Sequence, residues 1–410
     1  MTSSRPLALQ PGDLRGATRL VADATVAVTD LVEAVHARIA RVPGLPRAPA
    51  DRLGGVGGRV YGSVRGIATL VGHGLDAALA ALARLDDRPH DASASREREA
   101  LVAVLNGVLG HHLAATGNPL AIGMAVRVDG RALVPERAAL GRALPQAGPD
   151  IVLLAHGLCM NDLQWTRNGH DHGRVLAREL GFTPLYLHYN SGLHVWANGR
   201  ELALQLERLV EQWPVRVRRI AVVGHSMGGL LARSALHQAR EAGLRWPDRL
   251  RDLVFLGTPH HGAPLERAGN RLNTLLGAIP YAAPFARLGR VRSPGITDLR
   301  HGSLLEEDRD GRGRFDHGED RRVPVPLPAD VRCHALAATV GERVGDARDR
   351  LLGDGLVPLD SALGRHPQAE RTLAFAPGRQ WVGHGIGHLE LLERPEVSAR
   401  LLRALSPARR

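Results

Sequence analysis

Gly224-His225-Ser226-Met227-Gly228 is the segment whose residue types and spacing point most directly to covalent chemistry. It follows the apolar run Ile220–Val223 and precedes the amphipathic stretch Leu230-Leu231-Ala232-Arg233-Ser234-Ala235. Strand, tight turn and helix in that order project a serine hydroxyl from the head of the helix. The glycines suit a turn that brings strand and helix too close for a Cβ. A serine hydroxyl is a poor nucleophile until a base takes its proton. The sequence must therefore also supply a histidine and an acid.

In folds that use this elbow, the acid and then the histidine follow the serine along the chain. Two late histidines qualify, His384 and His388, in Trp381-Val-Gly-His-Gly-Ile-Gly-His-Leu389. Glycines at 383, 385 and 387 argue against a metal-binding helix carrying both. His388 opens an apolar segment and is the favoured base; His384 lies within the glycine-rich loop. Asp354, between Gly353 and Gly355, is the favoured acid, able to accept the imidazole N–H and fix its tautomer. Asp360 is its rival, and Asp346 and Asp349 stand behind it.

Acyl transfer also needs donors for a developing oxyanion. The amide after the serine, that of Met227, is one. The other belongs to the loop after an early strand, where His156-Gly157-Leu158-Cys159 follows Ile151–Ala155; Leu158 N–H is the expected donor and Gly157 permits the turn. Asn161 and Trp165 are candidates for contacts in the acyl pocket or at its rim. Cys159 reads as a small buried hydrophobe.

These residues need a scaffold. From Ala121 onward, short apolar runs alternate with helical stretches. Strands are expected at Ile151–Ala155, Pro184–Tyr189, Ile220–Gly224, Asp252–Leu256, Val331–Ala338 and Arg371–Ala376. Helices are expected near Val175–Leu180, Arg200–Trp213, Met227–Glu241 and Val397–Leu405. Such alternation predicts an α/β fold with a mostly parallel sheet. Gly123–Val134 reads as a hairpin around Asp129-Gly130. An excursion at about 262–328 reads as a cap or lid insertion, with acids and arginines mixed in Glu306–Arg322. Residues 1–120 are expected to form a helical N-terminal extension, and 121–410 the catalytic domain. Within the extension, apolar residues from Val21 to Ile39 recur at helical spacing, and Arg41–Gly58 reads as a linker. Glycines at 54, 58, 62 and 66 suit close helix packing.

Composition narrows the partners. The 410 residues carry a formal charge of +11, and all 53 basic residues are arginine. The arginines are interspersed with acids, which reads as coding bias rather than a phosphate-binding face. At 3% aromatic content, stacking on bases is poorly served, and nucleic acid is not expected as a partner. Two cysteines, Cys159 and Cys333, exclude a disulfide scaffold and a zinc finger. His170-Asp171-His172 reads as a solvated loop and His111-His112 lies in a helical stretch away from other metal-ligating motifs, so no metal is expected. No secretory leader or spanning helix is apparent. A cytoplasmic protein is expected, with peripheral contact at an anionic membrane left to the arginines of the N-terminal helices.

The segments 156–165, 224–235, 256–267 (Leu-Gly-Thr-Pro-His-His-Gly-Ala-Pro-Leu-Glu-Arg), 353–364 and 387–392 together resemble an α/β-hydrolase of the lipase/esterase type. Bacterial triacylglycerol lipases and GPI inositol-deacylase-like hydrolases share these patterns. The resemblance runs from about residue 120 to the end. It implies an α/β-hydrolase fold, a Ser226–His388–Asp354 triad, a Leu158/Met227 oxyanion hole and no cofactor. His156, Gly157, Gly224, His225 and Gly228 would form the oxyanion loop and nucleophile elbow. The implied activity is cleavage of carboxylic esters or lipids through an acyl-enzyme. Two alternatives stay open: an acyltransferase discharging the same intermediate to an alcohol, and a non-catalytic membrane-associated interaction protein. Neither acyl chain length nor oligomeric state is legible.

Overall fold

The computed structural model describes residues 11–39, 65, 96–263, 293–309, 322–342 and 353–407. The expected linker at 41–58, the glycine repeat at 54–66, much of the 262–328 insertion, Asp346 and Asp349 lie outside the described residues. The chain divides into two compact units, Met1–Ser95 with His112–Ala121, and Arg96–His111 with Ile122–Arg410. The first contains α1 (Pro11–Ile39), the helix that the 3.6-residue apolar spacing predicts. Within this unit Asn118 Nδ2 donates to the Gly16 carbonyl oxygen at 3.0 Å. In the helix α2 (Arg96–Ala115), residues 96–111 group with the second unit rather than with the segment before them.

The second unit is built on an eight-stranded sheet of order β2-β1-β4-β3-β5-β6-β7-β8. Its strands are β1 (Ala125–Val128), β2 (Arg131–Ala132), β3 (Asp150–Ala155), β4 (Thr183–His188), β5 (Arg219–His225), β6 (Leu250–Leu256), β7 (Arg332–Thr339) and β8 (Gln380–His384). β3 to β8 pair in parallel, whereas β1 pairs antiparallel with both β2 and β4. The hairpin turns at Asp129 (φ 49°) and Gly130 (φ 76°), the left-handed pair that a two-residue turn of this kind requires.

The flanking helices of this unit continue with α3 (Arg137–Ala143), α4 (His172–Leu180), α5 (Val195–Glu211), α6 (Met227–Glu241), α7 (Pro294–Asp298), α8 (Leu359–Ala362) and α9 (Pro395–Leu405). The central strands are continuous apolar runs because helices cover both faces. Ile151, Leu153, Ile220, Val222 and Phe255 pack with α5 and α6 through Leu202, Leu206 and Leu230. The alternate residues Val152, Leu154, Val223 and Val254 pack with α4 and α9 through Leu176, Leu401 and Leu405. The two-residue period of a strand thus divides one run between two cores.

One strand is displaced from its expected place. Arg371–Ala376 is not a strand; the sheet edge is taken by Gln380–His384, which pairs with β7 from Ala335↔Gln380 to Thr339↔His384. The apolar residues of 371–376 serve packing instead: Phe375 meets Phe255 edge-on at 6.1 Å and His260 at 5.9 Å. No described helix is long and apolar enough to cross a membrane.

Candidate active site

The site lies at the carboxyl ends of β3, β5, β6, β7 and β8. β5 ends at His225, and α6 begins at Met227, so Ser226 occupies the whole turn between them. Its backbone is at φ 53°, ψ −121°, a conformation that L-residues rarely adopt and that recurs where function demands it. The turn is held by Ser226 N–H donating to the Leu256 carbonyl oxygen at 2.9 Å. A Cβ on Gly224 would stand 2.5 Å from the Cα of Gly229, and one on Gly228 2.2 Å from the Ala155 carbonyl oxygen. These contacts are the physical reason for glycine on both sides of the serine. Ser226 is 9% exposed.

His388 and Asp354 meet across two loops. His388 Nδ1 donates to Asp354 Oδ2 at 2.7 Å, and both side chains are buried. The second carboxylate oxygen accepts the amide N–H groups of Leu356 (3.0 Å) and Val357 (2.8 Å). The carboxylate therefore has one oxygen for the imidazole and the other anchored to its own loop. Ser226 and His388 line one cavity, together with Gly157, Leu158, Met160, Pro259 and neighbouring aliphatic residues.

Leu158 also borders this cavity, in the loop after β3. A Cβ on Gly157 would lie 3.1 Å from that of Ser226, which shows how closely the loop passes the serine. Among the described residues, neither the Leu158 N–H nor the Met227 N–H has an acceptor in the protein. His156 pins the loop from behind. Its Nδ1–H donates to the Gly157 carbonyl oxygen (2.9 Å), its ring stacks on Tyr189 at 4.3 Å, and the Tyr189 hydroxyl donates to the His156 carbonyl oxygen (2.8 Å). Burial pushes the His156 imidazole down to about 3, so it is neutral at ordinary pH. Cys159, at φ 60°, is buried, donates its N–H to Ser191 Oγ (3.0 Å), and has its thiol pushed up to about 12 by burial.

The rival candidates lie elsewhere. His384 closes β8 opposite Thr339, and Asp360 is exposed and paired with Arg365 at 3.4 Å. Trp165 is buried edge-on to His225 at 6.4 Å and does not line the cavity, contrary to its expected place at the rim. Asn161 is buried too. His170-Asp171-His172 is not a solvated loop: His172 is fully buried and shares Ser398 Oγ with His170, each at 2.9 Å. Among the described residues, no group of three or more acids, histidines or cysteines could hold a metal.

Two supporting residues escaped the sequence reading in their particulars. His225 Nε2 donates to the carbonyl oxygen of His388 at 3.1 Å, with the rings 4.7 Å apart. Burial and the neighbouring His388 hold His225 well below the ordinary histidine range. Gly257, at φ 55°, sits beneath the acid–base pair; a Cβ there would be 3.0 Å from Asp354 Oδ2 and 3.2 Å from His388 Nδ1. The spacing Leu256-Gly257-Thr258 after a buried strand was the available signal.

Residues 150–310 match the family model described as PGAP1-like alpha/beta domain. The mostly parallel sheet with its flanking helices is an α/β-hydrolase fold. The matched stretch begins at β3 and includes Ser226; Asp354 and His388 lie beyond it, in the same compact unit. No curated protein matches. Among solved structures, the lipase BlEst2 of Bacillus licheniformis in mature form is similar at 19% identity, over 62% of this chain and 91% of that one, with a TM-score of 0.39. The esterase Pf2001 of Pyrococcus furiosus is similar at 15% identity, over 63% and 81%, with a TM-score of 0.36. The RedJ thioesterase of Streptomyces coelicolor is similar at 18% identity, over 64% and 92%, with a TM-score of 0.37.

Proposed function

We propose that this α/β-hydrolase cleaves carboxylic esters through an acyl-enzyme on Ser226. The observation that carries the reading is the 2.7 Å Asp354–His388 bond, made by a histidine that borders the same cavity as a serine in a strained elbow. His388 takes the hydroxyl proton as Ser226 Oγ attacks the ester carbonyl carbon. Asp354 fixes the proton on Nδ1 and stabilises the imidazolium. The unclaimed amides of Leu158 and Met227 receive the developing oxyanion. The bond to the alcohol oxygen then breaks, and that oxygen leaves with the proton from His388. Water, deprotonated by the same imidazole, releases the acid.

The cavity favours an apolar acyl group, since Leu158, Met160, Pro259, Leu299, Leu356 and Val357 line it. The test is a chain-length series of p-nitrophenyl acyl esters with native enzyme and with Ser226→Ala. Ser226→Ala hydrolysing at the native rate would overturn the reading. Product analysis with a competing alcohol identifies transfer to an acceptor in place of water.

A further inference from the structure

The loop after β6 borders two cavities. Pro259 faces the one that holds Ser226 and His388, whereas His260 and His261 line a second of about 110 Å³. Arg233, from the second turn of α6, lines it with Asp308, Arg322 and Arg371. Arg233 is 6% exposed and His260 is fully buried. Nothing in the ester chemistry uses either.

Among the described residues Arg233 hydrogen-bonds only to neutral groups, and Asp308 is the nearby negative charge. Its Nη1 donates to His260 Nδ1 at 3.3 Å, and its Nη2 donates to the Val325 carbonyl oxygen. No carboxylate among the described residues contacts it. Accepting from Arg233 leaves His260 with its proton on Nε2. That N–H has no acceptor, and neither has the Arg233 Nε–H. Asp308 is committed to backbone: it accepts from the amides of Leu304 (2.8 Å), Leu305 (3.0 Å) and Val323 (2.9 Å). Glu370, the other acid of the lining, is exposed. Arg322 adds a second guanidinium, donating to the carbonyl oxygens of His260 and Gly302, each at 3.0 Å, and to His261 Nδ1 at 3.2 Å. Burial and Arg322 pull Arg233 down to about 9, so it keeps its charge at neutral pH. Burial also pushes His260 well below its ordinary range and His261 to about 4, leaving both neutral.

Buried donors are normally answered by an acceptor, and the N–H groups of Arg233 Nε and His260 Nε2 are not. We propose that this cavity binds a phosphate-class oxyanion, held by Arg233 and His260 with Arg322 as the second cation. Water occupies about 30 Å³ in the liquid, so the space admits a tetrahedral oxyanion. The fork of Arg233 is already engaged with His260 and Val325. Single N–H donors from two side chains then remain, which suits a tetrahedral group better than a planar carboxylate. The chemistry is common to free phosphate and to a phosphomonoester headgroup. It does not rest on the ester-hydrolase reading.

The test is calorimetric titration of the full chain with inorganic phosphate and, separately, with glycerol phosphate, at constant ionic strength made up with chloride. Saturable binding is expected, equal in native protein and in Ser226→Ala, at least tenfold weaker in Arg233→Gln and partly restored in Arg233→Lys. Tighter binding of glycerol phosphate identifies a headgroup as the ligand; equal or weaker binding identifies free phosphate. Absence of saturable binding of both by the native chain overturns the proposal, and needs no variant to fold. Binding undiminished in a folded Arg233→Gln overturns it equally.

Discussion

Asp354 and His388 are joined twice. The imidazole Nδ1 donates to the carboxylate at 2.7 Å, and the backbone N–H of His388 donates to the carbonyl oxygen of Asp354 at 2.9 Å. The loops after β7 and β8 are thereby fixed to each other by main chain as well as side chain. The two bonds together hold the pair in one geometry, which the proposed general base would require.

Replacing Asp354 with Asn keeps the volume and the backbone tie but offers the imidazole the wrong tautomer. A loss of about 10⁴ in kcat is expected, by analogy with the same exchange in a triad elsewhere. Steady-state ester hydrolysis measures it, with circular dichroism as the check that the fold persists. Activity within a few fold of native would remove Asp354 from the mechanism.

Ser226 carries the cost of its own position. At φ 53° a serine is strained by roughly 1–3 kcal/mol, and glycine is not. Ser226→Gly is expected to abolish turnover, by a factor of up to about 10⁶, while resisting urea better than Ser226→Ala. Equal denaturation midpoints for the two variants would mean that the elbow stores no strain.

Gly257→Ala would press a methyl group against the acid–base pair and, at 2.8 Å, against Leu391 Cδ1. A displacement of about 1 Å there is enough to lower kcat about 10²-fold. The expected signature is a fall in kcat with Ser226 still in place. Kinetics of the purified variant decide, and native kcat would show that the loop yields without moving the pair.

Stability should depend on pH through the buried histidines. Burial pushes His172 from its ordinary 6.5 to about 4. Between those values the unfolded chain binds more protons than the folded one, so stability is fully present above about 6.5 and is lost as pH falls toward 4. The shift corresponds to about 3 kcal/mol at most for this group. Urea midpoints at several pH values measure the slope, and His172→Gln should flatten it. An unchanged slope would mean that His172 is not among the groups responsible.

Much of the scaffold is written in local pattern. The apolar run Ile220–Val223 before Gly224-His-Ser-Met-Gly228 is short, β-branched and bounded by glycine, so strand, turn and helix follow from it with few alternatives. The run near Leu373 is ambiguous for the same kind of reason. Alternating apolar residues there satisfy a packing requirement at Phe375 as readily as a hydrogen-bonding one, and only the ladder available beside β7 selects Gln380–His384.

By itself the sequence determined the strand, turn and helix around Ser226, from spacing within a few residues, and the mostly parallel α/β architecture, from the alternation of apolar runs with helical stretches. It also narrowed the candidate acid to a few aspartates and the candidate base to two histidines. Tertiary structure decided the rest. That His388 meets Asp354, that Gly257 lies beneath them, and that Arg233 meets His260 all depend on loops from different strands converging. Such contacts are set by how a sheet brings its carboxyl ends together, and no local pattern carries that information.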